Sequence, residues 1–128
     1  NGCLKFIKGS HIDQKLKCHN VNNNKNLTLN QELANEEFNE KDAVDLILKR
    51  GQISLHDVYL VHGSEANNSS NARRAITMRF MPTTSIFDHQ LVKDKKLFSK
   101  LNANKYSDRK IYHMRGKDIS GKNNLTYI

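Results

Sequence analysis

The sequence predicts a mainly β protein with a sandwich or barrel-like core, and two observations carry that expectation. Several short apolar runs alternate with a period of two, as strands do when one face is covered. Turn residues such as Gly9-Ser10 and Arg50-Gly51 punctuate those runs at short intervals.

Taken in order, Cys3 to Ile7 reads as a strand that ends at the Gly9-Ser10 turn. Residues 19 to 31 are mostly Asn, Lys and Thr and read as a loop. The acidic stretch QELANEEFNEKDA holds a helical turn or two, with only Leu33, Ala34 and Phe38 able to face a core. Val44, Leu46 and Leu48 alternate with Asp45, Ile47 and Lys49, which predicts a strand turned by Arg50-Gly51. Ile53 to Val61 is expected to be the next strand, and Ala72 to Met81 a third, closed by Pro82. From Phe87 to Leu101 the apolar residues fall at roughly helical spacing beside a lysine-rich face, which predicts a helix or an extended lid. RGKDISGKNNLTYI reads as a polar loop and tail. There is no internal repeat and no clear second domain in the pattern.

The bulk properties narrow the function. The chain has 128 residues, 37% of them hydrophobic, and a net charge of +8. That length suits one domain or part of one. The run NGCLKFI enters a strand with no polar lead-in, so the chain is expected to be a fragment whose N-terminal part is missing. No apolar run is long enough for a membrane helix and no signal peptide is visible, so a cytoplasmic location is expected. The positive charge draws anions, but the lysines are spread out and no aromatic-interleaved nucleic-acid motif appears. Nucleic-acid and membrane partners are therefore not expected. Cys3 and Cys18, the two cysteines, form no CxxC pair and are expected to be free thiols rather than a disulfide or a thiolate zinc site.

One stretch carries chemistry. Val58, Leu60 and His62 share a face if their strand is regular, so His62 extends a line of core-facing residues to the rim. Gly63 would then let the chain bend. An imidazole at such a mouth is placed to act as a metal ligand or a base. In the next run Arg73, Ala75 and Thr77 share a face, and Arg74, Ile76, Met78 and Phe80 share the other. Ala75 and Thr77 are small, so Arg73 would look into open space, whereas Arg74 would have to turn its charge outward. A guanidinium facing a pocket calls for an anion, and its planar fork suits a carboxylate. A metal ligand beside a carboxylate clamp is what an iron enzyme with a 2-oxo acid cosubstrate requires. An ordinary strand-end histidine and a solvated arginine pair would produce the same pattern.

The residues His62 to Ile76, HGSEANNSSNARRAI, resemble the distal-histidine motif of the phytanoyl-CoA dioxygenase family. NGCLKFIKGSH at the start is similar to that family's NGC…IPGSH stretch, with Lys8 where proline is usual. AVDLILKRGQISLHDVYLVHGS resembles the strand pair leading to the iron histidine, and RGKDISG the tail of bacterial members. These stretches cover most of the chain in the family's order.

The resemblance implies a double-stranded β-helix, a cupin-like jelly roll with a few short helices. Residues 1–128 would be the C-terminal part of one such domain, with the N-terminal part and its His-x-Asp motif absent. It implies Fe(II) and 2-oxoglutarate as cofactors, His62 as the distal iron ligand, and Arg73, eleven residues on, as the anchor for the 2-oxoglutarate carboxylate. Ser64 matches a serine that lies beside the cosubstrate in some members, and no catalytic residue is expected beyond the metal ligand. The other two ligands of the facial triad come from the upstream His-x-Asp. His11-Ile12-Asp13 has that spelling but falls on the family's Gly-Ser-His turn, so it is set aside, as are His19, His56, His89 and His113. The implied reaction is hydroxylation of an unactivated C–H bond of a small metabolite with O2, and an anionic or CoA-linked substrate would suit the charge. A 2-oxoglutarate-dependent halogenase and a non-catalytic jelly-roll binding domain are the alternatives.

Overall fold

The computed structural model describes residues 1–25, 31–91 and 108–128. The chain divides into two compact units, Asn1–Ile76 and Thr77–Ile128. Among the described residues the secondary structure is mainly strand, with two short 3-10 turns and no closed barrel. No described helix is long and apolar enough to cross a membrane.

The first unit is built on a three-stranded antiparallel sheet in the order β4 (Ala43–Leu46), β1 (Leu4–Ile7), β5 (His62–Ser64). The expected first strand and the Val44 strand therefore form, and they pair with each other. Phe6 lies between Val44 and His62, and Leu4 between Leu46 and Ser64. Side chains alternate across a strand, so Phe6, Val44, Leu4, Leu46, His62 and Ser64 share one face. Lys5, Gly63 and Asp45 occupy the other. Beyond β1, Ile7 N donates to Val61 O at 3.0 Å and extends the pairing by a residue. Val61 and Ala34, both 8% exposed, are the buried apolar residues among those described.

A hairpin of β2 (His19–Val21) and β3 (Gln31–Leu33) occupies part of the region expected to be loop and the first residues of the acidic stretch expected to make helical turns. Ala34 N donates to Cys18 O at 2.9 Å and continues that ladder. The acidic stretch then makes two 3-10 turns, Asn35–Glu37 and Glu40–Asp42, the second capped by the Asn39 side chain accepting from Lys41 N. This is the turn or two expected, with Ala34 the residue it buries. Glu37 Oε1 accepts from Cys18 N at 3.0 Å, and that bond holds the Glu37 carboxyl below its ordinary value. The Cys18 thiol, hydrogen-bonded to the same carboxylate, is pushed up. Cys3 and Cys18 are free thiols.

Three expectations are corrected. Ile53 to Val61 is not a strand. Asp57 Oδ1 accepts from Tyr59 N at 2.9 Å and Leu60 N donates to Asp57 O at 3.1 Å, so a turn interrupts the alternation. Val58 is consequently 83% exposed, and Val61, of opposite parity, is buried. Second, His62 opens a strand rather than closing one, and Gly63 lies inside β5 instead of at a bend. Third, Ala72 to Met81 forms no ladder, and Ile76, Met78 and Phe80 stay exposed. A period of two reports a covered face only where a neighbouring strand takes up the backbone N–H and C=O groups. Among the described residues only Val61, the last of the first segment, has such a neighbour, through Ile7 N.

In the second unit β6 (Ile111–His113) and β7 (Leu125–Tyr127) pair in parallel. β7 lies in what the sequence presented as a polar tail. The connection is knotted by Asp118, which accepts from Ser120 Oγ at 2.7 Å and from Asn123 N at 3.2 Å. Asn123 also donates to Ser85 O at 2.9 Å and accepts from Phe87 N at 2.9 Å. Of the helix or lid expected over 87–101, residues 87–91 are loop and turn with one 3-10 residue. The remainder lies outside the described residues, as do Lys93, Lys95, Lys96 and Lys100.

The hydroxyl of Ser120 holds the Asp118 carboxyl below its ordinary value, with Asn123 adding to the effect. A carboxyl depressed by folding stabilises above its unfolded value and loses that contribution as pH falls through its folded value. Amide protection across 118–123, measured by hydrogen exchange, is expected to fall as pH drops below about 4. Asp118→Asn should abolish that pH dependence.

At the other end of the chain, Gly2 has φ +66°, and a Cβ there would lie 2.5 Å from Glu65 O. Gly2→Ala therefore meets both a left-handed backbone and the segment leaving β5. It is expected to cost about 1–3 kcal/mol in chemical denaturation, whereas Gly51→Ala, with φ +84° and open space around it, should cost only the backbone strain.

Candidate functional site

The apolar face of the three-stranded sheet carries two polar side chains side by side, His62 and Ser64. β1 places them: Phe6 lies across from the histidine and Leu4 across from the serine. His62 Nδ1 donates to Leu60 O at 2.7 Å. A carbonyl oxygen only accepts, so Nδ1 carries a proton, and of the two neutral tautomers this bond selects the one with its lone pair on Nε2. That is the tautomer a metal ligand needs, fixed by a backbone carbonyl. His19 makes the same bond to Lys17 O at 2.8 Å, so the bond alone does not distinguish a ligand.

His62 is distinguished by its neighbours. Arg73 Nη2 donates to Ser64 Oγ at 3.4 Å, spanning the polar segment between them. The guanidinium and hydroxyl thus converge two residues along the strand from the imidazole. Arg74 makes no hydrogen bond or ion pair among the described residues. The structure therefore brings His62, Ser64 and Arg73 together, although not by the face of a regular second strand. Two grooves, of about 240 and 290 Å3, are each lined by His62. The first has Lys15, Leu16, His19 and Leu60 in its wall; the second has Phe6, Leu33, Phe38 and Ser64.

His11, Ile12 and Asp13 lie in turns after β1. Asp13 accepts from Lys15 N at 3.3 Å and from Lys17 Nζ at 3.1 Å. The Lys15 backbone bond first, and then Lys17, hold its carboxyl below its ordinary value. His89 Nε2 bonds to Arg109 O, and the His113 ring packs on Tyr127. Among the described residues no group of three or more His, Cys, Asp or Glu side chains is placed to hold a metal ion. An imidazole held by a backbone carbonyl and a guanidinium–hydroxyl pair are donor types that would fit one corner of an iron centre with a carboxylate cosubstrate.

Comparison with known proteins places the chain in a family. The family model for phytanoyl-CoA dioxygenase (PhyH) matches residues 1–75. The chain belongs to the phytanoyl-CoA dioxygenase family. The matched range coincides with the first compact unit and contains His62, Ser64 and Arg73. The RGKDISG resemblance lies outside it. A phytanoyl-CoA dioxygenase domain-containing protein 1 homolog from Dictyostelium discoideum is 34% identical over 83 residues, covering 63% of this chain and 30% of that protein. The chain thus spans about a third of the length of the curated relative it matches. No solved structure matches. Members of the family generally use Fe(II) and 2-oxoglutarate.

Sequence reasoning missed Ser10. Its hydroxyl donates to Ile7 O at 2.8 Å and accepts from Val61 N at 2.8 Å. One side chain therefore ties the turn after β1 to the residue immediately before His62. The Gly-Ser-His stretch was visible in the sequence, but only as a turn signal. Ser10→Ala would leave the N–H of the buried Val61 without a partner, at a cost of about 1–3 kcal/mol. Denaturant unfolding is expected to show that loss, and Ser10→Thr should recover part of it by restoring the hydroxyl.

Proposed function

We propose that the chain is part of an Fe(II)- and 2-oxoglutarate-dependent dioxygenase that hydroxylates an unactivated C–H bond of a small metabolite. The single observation that carries this reading is the convergence of Arg73 and Ser64 beside His62, in a chain belonging to this family. In this reading the whole protein forms a double-stranded β-helix, and residues 1–128 are the C-terminal part of that one domain. The exposed apolar runs 53–58 and 76–80 are then surfaces for strands contributed elsewhere in the longer protein. The remaining two iron ligands, a His-x-Asp pair, come from the length of the relatives that this chain does not span. The two free thiols support a cytoplasmic protein.

His62 offers Nε2 to the iron, and the Leu60 carbonyl keeps the proton on Nδ1. Arg73 grips the far carboxylate of 2-oxoglutarate through its N–H fork, and the Ser64 hydroxyl shares that carboxylate while steadying the guanidinium. Phe6 and Leu4 form an apolar floor beside these groups, which are themselves exposed in the part of the protein described. When bound, the iron supplies the activation of O2 that no side chain can supply. The groove carrying Lys15 and Leu16 offers a cation beside an apolar wall to an anionic or CoA-linked substrate.

Cosubstrate saturation tests the register. In the full-length protein, Arg73→Ala is expected to raise the KM for 2-oxoglutarate at least about tenfold, the scale of a lost charge-assisted pair. Arg74→Ala should leave it within about twofold. Equal effects of the two substitutions would overturn the assignment.

A further inference from the structure

The imidazole of His56 packs against that of His62, with ring centroids 4.9 Å apart and planes tilted by 56°. Nothing in the sequence pattern places these rings together. Six residues of regular strand would set them about 20 Å apart. The turn at Asp57–Leu60 doubles the chain back and closes that distance.

We infer that His56 is a positioning residue that steadies the metal-binding imidazole of His62; the inference rests on the reading of His62 as an iron ligand. The terminal torsion of a histidine is broad, and one hydrogen bond, Nδ1 to Leu60 O, restrains the ring at one point. A second ring packed at aromatic contact distance restricts its swing and keeps Nε2 aimed. The same turn supplies both restraints, since Leu60, which closes it, also provides the carbonyl. The role needs an aromatic ring at position 56 and does not use its nitrogens.

Binding of Mn(II) alone to the full-length protein, counted from the free-ion EPR signal without cosubstrate, tests this apart from activity. His56→Ala is expected to weaken binding about tenfold, the range seen when groups that orient a ligand are removed. His56→Phe keeps the ring and should stay within about threefold of wild type. Unchanged affinity in His56→Ala overturns the inference. So does a His56→Phe variant as weak as His56→Ala, which would make the nitrogens the working part, and so does a shared loss of unfolding midpoint in both variants. His62→Ala is the control for the underlying reading: wild-type affinity there sinks the site assignment itself, and the role of His56 with it.

Discussion

The antiparallel pairing of Leu4–Phe6 with Ser64–His62 is the constraint on which the site depends. It joins residues far apart in the chain, so it repays the entropy of closing a long loop with few hydrogen bonds. Its register matters more than its strength. A slip of one residue would move His62 and Ser64 to the opposite face. There they would leave Phe6 and Leu4 and share a surface with Lys5 and Asp45.

Two small residues hold that register. Ser10 binds the backbone on both sides of the pairing, at Ile7 O and at Val61 N. Gly2 lets the chain pass close to Glu65 and Ala66, where any side chain would intrude. Lys5, by contrast, bridges Glu65 at 3.5 Å and Glu40 at 4.0 Å on the polar face. Its partners are well exposed, so these ion pairs contribute little beyond orientation. The site is fixed by backbone fit and hydrogen bonding, with charge in a secondary part.

The expectations that held rest on local signals. β1 and β4 formed where apolar alternation met a glycine turn, and the acidic stretch made its two short turns because Asn39 caps one of them. Those that failed asked local pattern to stand for a partner. Residues 53–60 and 72–81 alternate as strands do, yet no described strand pairs with their backbone groups, and Asp57 diverts the first into a turn. β7 was concealed for the opposite reason: a polar composition masked a segment that pairs because the Asp118 knot brings it to β6.

The sequence by itself determined the family and nominated the residue types of the candidate site. A histidine, a serine two residues on and an arginine after a polar spacer are chemistry written in order along the chain, and spacing is conserved whatever the fold does. The tertiary structure decided which atoms meet. That Arg73 rather than Arg74 reaches Ser64, that Leu60 fixes the tautomer of His62, and that His56 lies against it all depend on a turn and a register. Such contacts are set by where the chain reverses and what pairs across it, and those are properties of three-dimensional closure that no local period encodes.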